Sequence, residues 1–216
     1  MLSLSLLTGL VAALPLISAT PVPVPIPSLP VTNHTLAARA PQWFEGPWWN
    51  FPPMSAWLGF DDLFGRNIPS MRAMGSTWDD IGRINVAIRE CAKLGVDERV
   101  ILAIIMQESH GDVGAPTTYS PDGLPTAGIM QCWNCPGFPR QYGLSQEQIT
   151  SMIRGGTQHF KRDLVIEGDG WLAEDIYPAL RRYNSGNVNY DNLSDGRGAT
   201  ASYVSDIAQR LTGWTD

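Results

Sequence analysis

The chain has 216 residues, of which 44% are hydrophobic, and its formal net charge at pH 7 is −6. This length, with a mean hydropathy of −0.10, fits one globular domain with additional residues at its ends. The acidic balance and the lack of any nucleic-acid-binding motif argue against nucleic acid as a partner.

Residues 1–19 contain no charged side chain and are mostly apolar. They are typical of a secretory signal peptide that is cleaved after Ala19, although the basic n-region is missing. Pro15 and the short length argue against a membrane anchor, and no other segment is long and apolar enough to span a bilayer. N-glycosylation triplets begin at Asn33 and Asn192. We therefore expect a secreted, extracellular glycoprotein without a membrane partner.

Residues 20–41 alternate proline with β-branched residues over their first half, from Thr20 to Pro30. This pattern favours extended polyproline II backbone and supplies no side chains for a packed core. A linker, a cell-wall spacer and a propeptide removed near Arg39 all fit such a segment.

Residues 42–75 combine many aromatic side chains with prolines and glycines. Exposed tryptophans on a flat face would stack on sugar rings, but aromatic residues interrupted in this way are more often buried against a domain. The composition therefore predicts an irregular strap packed on the domain surface. Its aromatic members are Trp43, Phe44, Trp48, Trp49, Phe51, Trp57, Phe60 and Phe64.

Residues 76–216 are predicted to form the ordered domain, because apolar residues recur there at helical spacing. Five helices are expected, and they run through Ile84, Ile104, Met152, Ile176 and Ile207. Asp97 is the expected N-cap of the second helix, and Ser145 with Gln148 forms a capping box for the third. Pro178 is expected to bend or interrupt the fourth. Strand-like alternation does not recur, so the fold class is mainly α.

Glu108 follows a run of eight mostly apolar residues, Val100 to Gln107, and Ser-His-Gly breaks the pattern directly after it. Its carboxyl is therefore expected at the edge of an apolar core. Desolvation there disfavours the charged form and raises the pKa, as a general acid working near neutral pH requires. The alternative is that Glu108 caps a neighbouring element or pairs with an arginine.

Three short segments occur in order along the domain: Glu108-Ser109, residues 127–131 (AGIMQ) and residues 179–186 (ALRRYNSG). Together they resemble the lysozyme-like domain of soluble lytic transglycosylases and goose-type lysozymes, whose pattern is Glu-Ser, Gly-Leu-Met-Gln and Ala-Tyr-Asn-x-Gly. The similarity covers roughly residues 76–214. Residues 120–123 also resemble the family's Ser-Pro-x-Gly turn, but the stretch that follows is longer than usual.

The resemblance implies a lysozyme-like helical domain with a substrate cleft and a glycosidase activity on β-1,4 bonds to N-acetylated sugars. Glu108 would be the single catalytic acid and would protonate the glycosidic oxygen. Gln131 and the backbone of Met130 would hold the N-acetyl group of the sugar being cleaved. The alternative for Met130 is a place in the core.

Three further positions match the family's motifs. The resemblance implies that Ser109 stabilises the loop or contacts substrate, and that Tyr183 orients Glu108 or touches the glycan. It also implies that Asn184 binds substrate or braces the floor of the cleft.

A second carboxylate is an open question. Most glycosidases use two, whereas lytic transglycosylases use one glutamate as acid and then base, and the substrate's N-acetyl oxygen and 6-hydroxyl complete the reaction. Goose-type lysozymes hydrolyse the bond, with aspartates that place a water. Asp112 and Asp122, in a Gly/Pro/Ser/Thr-rich loop over residues 111–126, are the candidates, although both also fit plain turn-forming roles. We favour hydrolysis for an exported glycoprotein, but the residues leave transglycosylation open.

The negative charge bears on the substrate, because an acidic protein loses long-range attraction to an anionic bacterial wall. Bacterial peptidoglycan is the expected substrate, and chitin or chito-oligosaccharide hydrolysis is the first alternative. A catalytically silent glycan-binding protein is the second. Basic residues near the cleft would offset the charge, although they are more often solvated helix faces: Arg140, Lys161, Arg162, Arg181 and Arg182. We expect a monomer that needs no cofactor.

Cys91, Cys132 and Cys135 are odd in number, and an exported chain is expected to oxidise. One bridge is predicted among three possible pairings. We expect it to steady the loop after Gln131, with the third thiol buried or intermolecular. The spacing of Cys132 and Cys135 matches a redox motif but lacks the strand-to-helix context. Three cysteines are too few to bind structural zinc. The chain has only three histidines, and they imply no metal site either: His34, His110 and His159.

Overall fold

A computed structural model of the chain describes residues 41–120 and 122–216. The predicted signal peptide and nearly all of the proline-rich zone lie outside these described residues. Helices dominate the described chain, which confirms the mainly α fold class. The α-helices are α1 (Phe60–Ala73), α2 (Trp78–Ala92), α3 (Glu98–Ser109), α4 (Gln146–Glu167), α5 (Ala173–Ser185) and α6 (Tyr203–Leu211).

Helix α3 is buried along nearly its whole length and carries Glu108 at its C-terminal end. Every residue from Val100 to Met106 is at most 4% exposed, so the helix is apolar on all sides rather than on one face. Asp97 caps the N-terminus, as predicted, by accepting a hydrogen bond from the backbone N–H of Arg99. Because α3 is buried in the core, it fixes the position of Glu108 near its C-terminal end.

Helices α2 and α4 pack against each other, and both begin at capping boxes. The predicted box of Ser145 and Gln148 is confirmed at α4. At α2 the cap is Thr77, whose side chain accepts from the backbone N–H of Asp80. The neighbouring Ser76 is buried instead, and its hydroxyl donates to a loop carbonyl beyond α3 at 2.7 Å.

A small antiparallel sheet lies between α3 and α4, and its strands are β1 (Thr118–Tyr119), β2 (Pro125–Ala127) and β3 (Cys132–Trp133). In its register Thr118 lies opposite Thr126, and Thr126 lies opposite Trp133. The sequence predicted only a loop over residues 111–126, which is wrong for β1 and for the start of β2. Strands of two or three residues are too short to show an alternation of polar and apolar positions.

Residues 42–58 pack on α5 and α6 through buried aromatic rings. Phe51 and Trp57 lie against Tyr177 of α5, with ring centroids 4.9 and 6.2 Å away. The hydroxyl of Tyr177 donates to the carbonyl of Pro52 at 2.7 Å and accepts from the indole N–H of Trp57 at 3.1 Å. These contacts hold the segment against α5. Its two short 3₁₀ turns, Trp48–Asn50 and Met54–Ala56, lie next to the contacting residues along the chain.

The prediction of an irregular segment up to residue 75 is wrong for its second half, because α1 is a regular helix. Its buried face contains Phe60, Leu63, Phe64 and Met71, which recur at helical spacing. Pro69 lies inside α1, where a proline removes a backbone hydrogen bond. The burial of four large apolar side chains outweighs the one backbone hydrogen bond that proline removes.

Helix α5 also contains a proline and continues through it. Pro178 was expected to bend or interrupt this helix, yet α5 is continuous from Ala173 to Ser185.

None of the helices in the described ranges combines the length and the apolar character needed to cross a membrane.

Cys132 and Cys135 lie at disulfide distance, with their Cα atoms 5.5 Å apart. This is one of the three pairings that the sequence allowed, and it closes the turn directly after Gln131, as predicted. Cys91 is free and buried in the core. Burial raises the pKa of its thiol to about 11, so Cys91 stays protonated.

Two adjacent glycines of α4 let the loop around Met130 approach the helix backbone. A Cβ at Gly156 would stand 2.5 Å from both the Cβ and the Sδ of Met130. One at Gly155 would stand 3.0 Å from the Sγ of Cys135. Since Met130 is itself fully buried, it has little room to move away.

Gly156→Ala is expected to lower the free energy of unfolding by about 1–3 kcal/mol, because the clash with Met130 exceeds the higher helix propensity of alanine. Urea unfolding measures this. The matched control is Gly82→Ala in α2, where an added Cβ meets no atom within 4 Å; it should stabilise by about 0.5–1 kcal/mol. Equal stabilisation by both substitutions would contradict the close packing of this loop.

Candidate functional site

Glu108 lies where the end of α3 meets solvent, and it is partly exposed. Its Oε1 accepts a hydrogen bond of 2.6 Å from the hydroxyl of Tyr203 on α6. Burial raises the pKa of Glu108 to about 7, and the bond from Tyr203 opposes that shift. The negative end of the α3 dipole also disfavours a carboxylate at this position. Glu108 therefore keeps its proton to a higher pH than an ordinary glutamate.

A buried arginine supports Tyr203. The guanidinium carbon of Arg181, on α5, lies 5.9 Å from the centroid of the Tyr203 ring. Arg181 is 0% exposed, and its N–H groups donate to the carbonyl of Thr200 at 2.9 Å and to Oδ1 of Asn184 at 2.5 Å. The predicted ligand Asn184 is thus connected to the Glu108 partner through one buried cation.

The loop before β3 is tied to the elements that flank Glu108. The hydroxyl of Ser109 donates to the carbonyl of Ile129 at 2.8 Å, and that of Tyr183 donates to the carbonyl of Met130 at 2.7 Å. Burial, and after it the charge of Glu108, raises the pKa of Tyr183. Tyr183 is therefore close enough to Glu108 to respond to its charge, and it holds the same loop that Ser109 binds. The Met130 side chain lies in the core.

Gln131 uses its side chain within the protein. The amide nitrogen donates to the carbonyls of Pro116 at 3.0 Å and Gly128 at 2.9 Å, while Oε1 accepts from the hydroxyl of Thr118 at 2.8 Å. Gln131 also adopts the left-handed conformation, with a φ of 44°. In this arrangement Gln131 braces the sheet, and a direct hold on a sugar would exchange one of these bonds.

Neither candidate aspartate is among the hydrogen-bond partners of Glu108 in the described residues. Asp112 is buried, and its Oδ1 accepts from the backbone N–H of Gly114 at 2.8 Å. Burial raises the pKa of Asp112, although the Gly114 and Tyr142 hydrogen bonds lower it. Asp122 is exposed between β1 and β2. Within the described residues, neither aspartate contributes to the pKa shift of Glu108.

A second titratable pair packs on the other side of Tyr183. The ring of His159, on α4, meets the ring of Tyr183 edge-on, with centroids 5.1 Å apart. Its Nε2 lies 3.7 Å from Oδ2 of Asp163. Burial raises the pKa of Asp163 to about 6 and lowers that of His159. The sequence weighed His159 only as a metal ligand, and only the packing of α4 on α5 places it here.

Two surface grooves lie away from this carboxyl. One, of about 650 Å³, is at the N-terminal end of α3 and includes Arg99 and Trp171 in its walls. The other, of about 380 Å³, lies beside Trp48 and Trp49. Glu108 lines neither of them.

Comparison with protein-family models and with curated proteins returns no match for this chain. The resemblance to lysozyme-like domains therefore rests on the three sequence motifs. In the structure, Ser109 of the first motif and Tyr183 of the third both donate hydrogen bonds to carbonyls of the second.

Tyr203 and Arg181 were not predicted as site residues. Tyr203 fits the apolar spacing of α6, and nothing in that pattern distinguishes a core tyrosine from the partner of a glutamate. Arg181 was considered only as a basic residue near the cleft. No acidic residue lies next to Arg181 in the sequence, so nothing there indicates that its side chain is buried.

Glu108→Gln is expected to remove a pH dependence of stability. The folded-state pKa, about 7, lies above the ordinary 4.5, so the unfolded chain releases this proton first as pH rises. The parent should therefore lose stability relative to the variant between these two values, by about 3 kcal/mol at most. Urea unfolding of both proteins across this range measures the difference. A constant difference would show that the pKa is not raised.

Tyr203→Phe is expected to raise the pKa of Glu108, because the lost hydrogen bond stabilises the carboxylate form. The free energy of unfolding of each protein is compared, across pH, with that of the same protein carrying Glu108→Gln. The measured midpoint is the pH at which half of this difference is lost. It should move upward. Tyr119→Phe, at a side chain 70% exposed on β1, is the control and should leave the midpoint in place. A downward shift in Tyr203→Phe would contradict this role.

Proposed function

We propose that this protein cleaves β-1,4 bonds between N-acetylated sugars of bacterial peptidoglycan, with Glu108 as its general acid. The observation that carries the proposal is a glutamate with a pKa of about 7 at the end of the buried helix α3, with Tyr203 as its hydrogen-bond partner and Tyr183 close enough to respond to its charge. A carboxyl with this pKa is protonated at the pH where a glycosidic oxygen must receive a proton.

The chemistry needs one proton donor in a fixed position. Glu108 gives its proton to the glycosidic oxygen as the bond to C1 breaks, and the leaving sugar departs as an alcohol. The N-acetyl oxygen of the substrate stabilises C1. The Glu108 carboxylate then takes a proton from the incoming hydroxyl, which restores the acid. Tyr203 supports this second stage, since its hydrogen bond favours the carboxylate.

Two acceptors are compatible with this scheme, water and the substrate's own 6-hydroxyl. Hydrolysis by a two-carboxylate mechanism needs a second carboxylate near the bond, acting as base or nucleophile. Asp112 is hydrogen-bonded within its own turn and Asp122 lies in an exposed hairpin. This arrangement supports transglycosylation as the second candidate function, because that reaction requires Glu108 alone.

The choice of polymer rests on the resemblance rather than on charge. A net charge of −6 gives no general attraction to an anionic wall, so neutral chitin is the alternative substrate. A protein that binds glycans without cleaving them would keep the same surface but would not need a raised pKa at Glu108.

Glu108→Gln is expected to lower the clearing of bacterial walls on zymograms by about three orders of magnitude or more, because an amide cannot donate the required proton. Chitin gels run in parallel decide the substrate. The matched controls are Asp122→Asn and Asp112→Asn: full activity in both supports a single acid. Clearing that survives in Glu108→Gln would end the proposal, and binding without clearing by the parent would favour the non-catalytic alternative.

The products identify the acceptor. Mass spectrometry should find reducing ends if water completes the reaction, and anhydro ends if the 6-hydroxyl does. Activity should be retained below about pH 7 and fall above it, since Glu108 loses its proton there. An optimum well above this pH would contradict the assignment of Glu108 as the acid.

A further inference from the structure

Trp133 is exposed, although the turn that carries it is firmly held. Its side chain is 51% exposed, whereas the preceding Cys132 is only 2% exposed. The bridge from Cys132 to Cys135 closes the turn over Trp133 and Asn134. Gly155 of α4 lets Cys135 approach the helix backbone closely. A large apolar side chain is thus presented to solvent on a fixed base.

The backbone on both sides of Trp133 adopts a conformation that L-residues rarely take. Gln131 has a φ of 44° and Asn134 a φ of 57°. Asparagine adopts this conformation readily, whereas glutamine rarely does, so the fold maintains unfavourable geometry at Gln131. Such geometry is concentrated at binding and active sites.

The surface beside Trp133 carries hydroxyl and amide groups. Residues directly opposite each other in an antiparallel pair share a face, so Thr118, Thr126 and Trp133 project to the same side. The hydroxyls of Thr118 and Thr126 are 2.7 Å apart, and Thr118 also donates to Gln131. An apolar ring next to a row of hydroxyls matches a pyranose, which has an apolar face of C–H groups and polar edges.

Trp133 also lies close to the candidate site along the chain. Tyr183 donates to the carbonyl of Met130 and is close enough to Glu108 to respond to its charge. Trp133 follows Met130 by three residues, and three residues of extended chain span at most about 11 Å. A glycan held at Glu108 can therefore reach the ring if it is long enough to extend past Met130.

We propose that Trp133 is a stacking platform for a sugar ring of the bound glycan, one that adds affinity for long chains. The proposal rests on the proposed function, because it takes a glycan with N-acetylated sugars as the ligand. The threonine pair of β1 and β2 supplies hydrogen bonds at the edge of the same ring. Trp133 would then select chain length, and Glu108 would perform the chemistry.

The test measures binding in the Glu108→Gln background, so that turnover does not interfere. Calorimetry with β-1,4-linked N-acetylglucosamine oligomers, short and long, gives Kd for each length. Adding Trp133→Ala should weaken binding of the long oligomer by about tenfold and leave the short one unchanged. Trp133→Phe should recover much of the loss. Trp49→Ala, at a side chain 65% exposed on another surface, is the matched control and should change neither Kd.

Reduction of the bridge provides an independent readout. A thiol reductant should weaken binding of the long oligomer by the Trp133 protein, because the base of the platform loosens. The same reductant should have no effect on the Kd of the Trp133→Ala protein. An equal effect on both would overturn the role of the bridge in presenting the ring.

The outcomes separate this proposal from the proposed function. Equal binding of the long oligomer by the Trp133 and Trp133→Ala proteins, with both folded by circular dichroism, would overturn the platform alone. Equal losses with Trp49→Ala would also overturn it. If neither protein bound any oligomer or peptidoglycan fragment, the glycan-binding function itself would fail. Weakened binding confined to long chains supports both.

Discussion

The hydrogen bond from Tyr203 to Glu108 is the contact on which the candidate site depends. It joins the end of the central helix α3 to α6, at a position where burial and the α3 dipole both oppose a negative charge. The phenol partly compensates by stabilising the carboxylate. The pKa of Glu108 therefore settles near 7 instead of rising further, and both protonation states are accessible.

Neutral hydrogen bonds hold the loop near this pair. Ser109 and Tyr183 bind two successive carbonyls of the loop, and Gln131 ties that loop to the sheet. The charged Arg181 lies behind Tyr203 in complete burial. A carboxylate next to Glu108 would raise its pKa beyond the useful range, and an arginine would lower it.

The sequence predicted the elements whose causes are local. Asp97 and the Ser145–Gln148 box set helix starts through bonds over two or three residues, and the apolar run before Glu108 needs only helical spacing. The sequence failed where packing decides the structure. The irregular segment expected up to residue 75 contains the helix α1, which its buried face stabilises. The short strands around Thr118 carry no pattern, and pairing stabilises them.

The sequence by itself determined a mainly α chain with one glutamate at the end of an apolar helix, because hydrophobic periodicity is written in neighbouring residues. Only the tertiary structure decided what that glutamate meets. Tyr203 is 95 residues away from Glu108 along the chain. Arg181 reaches the ring of Tyr203 through the packing of α5 on α6. Such contacts depend on how helices pack, and the pKa of a carboxyl depends on those contacts more than on its own sequence context.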